Sequence, residues 1–379
     1  MMIFSLPNFK NFAKEHTTAF VAGIILVLVI AGAMYSFITE KPNYDSLYSA
    51  LRSGDYENII SKGESLLSRN PDDVTLTQIV ANAYLSLGVI TNNVEPWAYK
   101  AINLLTKSIK ETGEDAESER LIGYGYFLIK DYNNARKHYQ GAVTLDQNNS
   151  LAWADIGQLE EVEGNIASAR ALYDKAIQKN LKNATAHLGI TRILMRQKEY
   201  EKASLEANLL LNFDSDRLSK ASAHEILGQI ALQGRNFTEA ENHFNDAIIL
   251  NAARPASLAG LALALIGQIS NHVMRDIKTE TERPIELATQ AIAIAPDFTY
   301  GYVVLARIAR LQRDDDAYKI YREKILALAP KDPTILPQDK QGLIKEFSTD
   351  SLKVTDFKII SIKKVGSPTN LGIQITEQK

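Results

Sequence analysis

The sequence has no cysteine, which excludes a disulfide framework, a thiolate metal site and a cysteine nucleophile. The compartment stays open, because a disulfide-free protein can work on either side of a membrane. Basic residues are not in surplus: 42 Lys and Arg stand against 45 Asp and Glu, a net charge of −3, which argues against a general nucleic-acid binder. Motifs that carry chemistry are missing too. There is no glycine-rich phosphate loop ending in Gly-Lys-Ser/Thr, no H-E-x-x-H pair and no G-x-S-x-G elbow. The expectation is a chain that is not an enzyme and holds no cofactor and no metal. Four of the six histidines fall at recurring positions, His187 with His224 and His138 with His243, which repeat geometry explains better than metal ligation. Asp314-Asp315-Asp316 reads as a solvated acidic turn.

Uncharged apolar runs of membrane length are also scarce, and the one at the N-terminus carries address information. Phe20 to Ile38 is 19 residues without a charge. As a helix it would span roughly 28 Å, close to the hydrocarbon core of a bilayer. Tyr35 and Phe37 lie near one end, where aromatic rings favour the interface. Ala31-Gly32-Ala33 resembles a signal-peptidase site, but the apolar stretch runs on past it, so an uncleaved anchor is the expected form and a cleaved signal the alternative. Basic residues flank both ends (Lys10 and Lys14 before, Lys41 and Arg52 after), so their count does not fix the orientation. A short tail before a first apolar segment behaves as a signal anchor, which would put the remainder outside the cytoplasm. The expectation is a single-pass protein of a bacterial inner membrane.

What the chain has in plenty is self-similarity. Gly123 and Gly157 are 34 residues apart, as are Tyr139 and Tyr173, Ala135 and Ala169, and Ala142 and Ala176. The unit 116–149 presents Ile122, Gly123 and Tyr126 on a first helix, a turn at Lys130-Asp131-Tyr132, and Ala135, Tyr139 and Ala142 on a second. Small residues let backbones approach, and aromatic rings fill the gaps between units. Such a module cannot bury its apolar face alone; it gains stability by stacking on its neighbours.

These residues resemble the tetratricopeptide repeat family, whose pattern is W-x2-L-G-x2-Y, then A-x3-F, then A and often P. In the unit 150–183, Trp153, Ile156, Gly157, Ala169, Tyr173 and Ala176 fit, with Glu160 replacing the tyrosine. In 221–254, Leu227, Gly228, Ala240, Phe244 and Ala247 fit, with His224 at the tryptophan position. The unit 184–220 is looser, and 40–73, 74–115, 255–298 and 299–332 keep only parts of the pattern, as end repeats with a solvent face do. The resemblance implies a right-handed α-solenoid, which, with the single N-terminal transmembrane helix read from 20–38, makes an all-α fold. To this we add a short C-terminal β-hairpin, from the Val-, Phe- and Ile-rich run Val354–Ile362 and the alternating residues Leu371–Thr376. The expected organisation is a short tail over 1–19, the anchor over 20–38, about eight repeats over 40–336 and a tail over 337–379.

In this family the first helix of each unit lines a concave groove, and the positions between framework residues face into it. Carrying the register across marks Asn82, Arg120, Tyr124, Gln158, Arg192, Arg196, Gln229, Arg307 and Arg310 as the partner-binding set. An arginine fork holds a carboxylate bidentately, so the expected client is a protein or peptide segment bearing acidic groups. The alternative is that these arginines are solvated or salt-bridged to neighbouring units. The family's carboxylate clamp is not recognisable, since Gln78 stands where its lysine would. The function implied is a membrane-anchored adaptor or scaffold that contacts the lipid bilayer through 20–38 and does not bind nucleic acid. Two other readings are a self-assembling subunit, a homo-oligomer joined through repeat faces or the hairpin, and an accessory subunit of a membrane-embedded glycan or cell-wall enzyme.

Overall fold

The computed structural model describes residues 44–213, 215–269, 276–332, 335 and 337–348. Among the described residues the chain is a run of seventeen helices, sixteen of them forming eight consecutive antiparallel pairs. The pairs are α1 (Tyr44–Ser53) with α2 (Tyr56–Leu67), α3 (Val74–Thr91) with α4 (Val94–Thr112), and α5 (Ala116–Leu128) with α6 (Tyr132–Leu145). Next come α7 (Ser150–Glu163) with α8 (Ile166–Lys179), α9 (Ala184–Gln197) with α10 (Tyr200–Asn212), and α11 (Arg217–Gln233) with α12 (Phe237–Leu250). The last are α13 (Pro255–Ile269) with α14 (Ile277–Ile294) and α15 (Thr299–Gln312) with α16 (Asp315–Leu328); a single helix, α17 (Pro337–Ser348), follows.

The two helices of a pair have different tasks, and their sequences show it. The second helices α6, α8 and α12 each bury only a three-residue stripe: Ala135/Tyr139/Ala142, Ala169/Tyr173/Ala176 and Ala240/Phe244/Ala247. Positions i, i+4 and i+7 make one narrow helical face, and the rest of each helix meets water. First helices are sandwiched. α11 buries residues all round, from Ser219 through Leu232, because it touches its own partner and the units on both sides. The aromatics of the α8 and α12 stripes each lie between two glycines, whereas Tyr139 of α6 meets only Gly123. A Cβ on Gly157 would come 2.9 Å from Tyr173, and one on Gly189 would come 2.1 Å from the same ring. Gly228 and Gly260 flank Phe244 in the same way, at 2.9 and 2.3 Å.

Helix ends are set locally. Side chains of Asp73, Asp115, Asn149, Asn183 and Asp216 accept the N–H three residues on and start α3, α5, α7, α9 and α11. Inside the pairs the chain turns through one left-handed residue: Lys130, Gly164 and Lys198 in units three to five, at φ of 66, 91 and 62°.

The expected C-terminal hairpin is corrected. The described residues contain no β-strand, and 354–376 lie outside them. Directly after the last unit the chain forms α17 instead. This helix buries Leu343 and Phe347 against the final pair, so a helix closes that end of the core. The expected transmembrane segment at 20–38 also lies outside the described residues. One described helix, α3, is long and apolar enough to cross a membrane, but more than half of it is buried inside the array, where it serves as the first helix of unit two.

Candidate functional site

The stacked first helices curve inward until the array meets itself. Arg217, at the start of α11 in unit six, donates to Leu250 O at 2.5 Å and Ile249 O at 2.7 Å, and its other nitrogen reaches Ser53 O of unit one at 3.4 Å. The guanidinium thus lies between the C-terminal ends of α12 and α1, where helix dipoles favour a cation. Asn92 of unit two donates to Ile294 O of unit seven at 3.4 Å. The concave side is thereby drawn into a cavity of 530 Å³.

Its wall is largely apolar, with Val89, Phe127, Leu151, Leu188, Leu218, Pro255 and Phe298 drawn from across the turn. Two buried polar atoms on that wall have no protein partner: Asn92 Oδ1, an acceptor, and Arg254 Nη2, a donor. Arg254 is otherwise committed, its Nε donating to Glu225 at 2.9 Å while Ser257 donates to the same carboxylate oxygen at 2.8 Å.

Of the nine residues expected on the groove, Asn82, Arg120, Tyr124, Gln158 and Arg192 line this cavity, and Arg196, Gln229, Arg307 and Arg310 do not. The arginines are engaged within the protein. Arg120 donates to Glu117 at 2.7 and 2.8 Å and to Asp155 at 2.9 Å. Arg192 and Arg196 each donate to Glu161 at 2.7 Å, and the Tyr173 hydroxyl adds a hydrogen bond to that carboxylate at 2.8 Å. Arg307 donates to Glu346 of α17 at 3.0 Å, and the Arg310 guanidinium sits 4.2 Å from the centre of the Tyr318 ring. Gln229 is buried on α11.

The acids that hold these arginines belong to no motif that the sequence displays. Glu161 is nearly fully buried; burial alone would raise its carboxyl pKa, but Arg192, Arg196 and the Tyr173 hydroxyl outweigh burial and hold it below the usual range. Asp155 goes the other way. Burial outweighs Arg120, and with Glu117 nearby its pKa is raised to about 6. Burial also lifts the Tyr124 hydroxyl above its usual range, with the Asp155 and Asp216 carboxylates adding to it. A signal for Glu161 does exist: it stands 34 residues after Phe127 and 34 before Met195, a charge in a column of buried apolar residues.

A family model described as "Tetratricopeptide repeat" matches residues 162–230, from the end of α7 into α11. Over that stretch the chain matches the tetratricopeptide repeat family, and its eight stacked helix pairs fit the match. Tetratricopeptide arrays are scaffolds, generally without catalysis. Among curated proteins, the type IV pilus assembly protein PilF of Pseudomonas aeruginosa is 25% identical over 152 residues, covering 40% of this chain and 59% of that protein. DnaJ homolog subfamily C member 7 of Mus musculus is 20% identical over 255 residues, 58% of this chain and 51% of the relative. The tetratricopeptide array here thus spans less than two thirds of the length of either relative. Among solved structures, the APC/C hetero-tetramer Cut9–Hcn1 superposes with a TM-score of 0.55 over 69% of this chain and 48% of that one, at 16% identity, a likeness of fold.

Proposed function

We propose that this protein is a membrane-anchored adaptor that takes an extended segment of a client protein into the cavity of its curled repeat array. The observation that carries this reading is the cavity wall: apolar side chains from nearly every unit, with one unmatched acceptor at Asn92 and one unmatched donor at Arg254. An extended peptide offers a matching N–H and C=O at each residue. The apolar wall favours a segment that inserts an aromatic or aliphatic anchor. Asn82, Tyr124 and Gln158 supply polar contacts on the wall, which Arg120 and Arg192 hold together. The uncharged run at 20–38 supports a bilayer anchor that keeps adaptor and client beside a membrane complex, with the repeats on the extracytoplasmic side of a bacterial inner membrane. Anchoring makes the second contact effectively intramolecular, so modest affinity in the cavity suffices.

A second reading, an acidic client, rests on Glu161 balancing two arginines, which leaves one positive charge over beside Arg196. Affinity capture from native membranes separates the two. Leu188→Arg places a charge in the cavity, whereas Arg196→Gln removes the surplus cation beside Glu161. Under the leading reading the client is lost with Leu188→Arg and kept with Arg196→Gln; the reverse pattern supports the acidic client. Retention in both, with helical content matching the wild type, would refute binding at this face.

A further inference from the structure

Units three and five join their two helices through an imidazole and a carboxylate at the same sequence separation. His138 Nδ1 lies 2.8 Å from Glu119 Oε2, and His187 Nδ1 lies 2.7 Å from Glu206 Oε2. In unit six both positions are histidine. His224 of α11 and His243 of α12 present the same nitrogen to each other, Nδ1 to Nδ1, at 3.1 Å. Asp246, one turn along α12 from His243, brings Oδ2 to 3.6 Å from His224 Nδ1. One ligand atom from each of these three side chains lies within 4.8 Å of the others.

The spacing is that of a coordination shell. Nitrogen and oxygen ligands at 2.0–2.2 Å from a tetrahedral zinc ion are roughly 3.3 Å from one another. The observed 3.1 and 3.6 Å fall on either side of that edge. Two neutral imidazoles facing through one nitrogen each can share only one proton, whereas a cation between them uses both lone pairs. Burial, with His243 adding to it and Asp246 opposing it, holds the His224 pKa below its ordinary value. The other nitrogen of His243 points towards Glu239, with Nε2 4.0 Å from Oε1, where an outer carboxylate orients a ligating ring. All three ligand side chains keep some exposure, 18, 22 and 52%, so an ion can enter from solvent and keep a water as its fourth ligand.

We propose that His224, His243 and Asp246 form a binding site for a divalent transition-metal cation of the Zn²⁺ class, clasping α11 to α12 in unit six. The site lies in the contact between the helices of one unit and is separate from the cavity wall, so it stands whether or not the client reading does.

The test uses untagged full-length protein stripped with a chelator, then titrated with Zn²⁺ and, as a spectroscopic probe, with Co²⁺. One equivalent of Zn²⁺ is expected to bind and to raise Tm, and Co²⁺ is expected to give the intense visible absorption of a four-coordinate site. His243→Ala, and the milder Asp246→Asn at a half-exposed position, should each weaken binding by at least about tenfold, since even outer partners of bound metals matter to that degree. His138→Ala, at the equivalent place in unit three, should leave it unchanged. The proposal is overturned if excess Zn²⁺ shifts neither Tm nor the Co²⁺ spectrum, or if the same stoichiometry and affinity persist in both His243→Ala and Asp246→Asn.

Discussion

Replacing Glu161 by alanine should separate unit four from unit five. In the native protein this carboxylate takes Arg192 and Arg196 at 2.7 Å each and the Tyr173 hydroxyl at 2.8 Å, and none of the three partners is freely solvated. Removing one member of a buried ion pair costs about 3–5 kcal/mol, because the surviving charge is left desolvated and unpaired. Here two guanidiniums, one turn apart on α9, would also repel each other. The orphaned tyrosine hydroxyl adds about 1 kcal/mol. Stability in a repeat array is a sum of unit terms and nearest-neighbour interface terms, so a loss of this size at one interface should break cooperativity. Urea unfolding followed by far-ultraviolet circular dichroism is then expected to change from one transition to two, the earlier one reporting the array on one side of the weakened interface. The triple change Glu161→Met, Arg192→Leu, Arg196→Leu removes all the charges together and should recover most of the loss, as apolar replacement of whole buried networks does. The reasoning fails if Glu161→Ala unfolds in a single transition within about 0.5 kcal/mol of wild type.

Four further outcomes are expected. Asp155 has a folded pKa raised to about 6, so the folded state binds its proton more tightly than the unfolded chain, and its contribution to stability falls as pH rises from about 4 to 6. The stability of Asp155→Asn relative to wild type should therefore improve by up to about 3 kcal/mol between about pH 4 and pH 7, and a pH-independent difference would refute this. Gly189→Ala puts a Cβ 2.1 Å from the Tyr173 ring between two packed helices and should cost at least about 1–3 kcal/mol in denaturant melts. Lys198→Gly relieves a left-handed residue at φ 62° and should stabilise by about 1 kcal/mol, read as a raised Tm. Arg217→Ala removes the contact between units six and one and should increase the radius of gyration in solution scattering with helical content unchanged.

Much of the packing is legible in the sequence because it is local and periodic. Gly123 facing Tyr139, Gly157 facing Tyr173 and Gly228 facing Phe244 follow from a single rule repeated along the chain, and the Ala-x3-Tyr/Phe-x2-Ala stripe defines the face each second helix buries. The electrostatics are less legible. An arginine on the inner face of a first helix looks available until its partner is found, and the partner of Arg192 is 31 residues earlier, on the previous unit. Glu161 can be suspected from its apolar column, but Asp155 cannot, since its column changes character from Leu121 to Asp155 to Gly189. The closing of the array is hidden for another reason. It sums small rotations over many units, and the Arg217–Ser53 contact joins residues 164 apart that no local pattern connects. The expected hairpin rested on the Val-, Phe- and Ile-rich run at 354–362 and the alternation at 371–376, whereas Leu343 and Phe347, four residues apart, carry a helical signal soon after Pro337.

The most direct test of the central claim is site-specific photo-crosslinking in native membranes. A benzophenone side chain would replace Leu188 on the cavity wall, and in a parallel sample Leu205 on the exposed face of α10. A crosslinked client is expected from position 188, joined through an apolar residue of a short segment, and none from position 205. A client captured from position 205 and absent from position 188 would contradict it and move binding to the convex face.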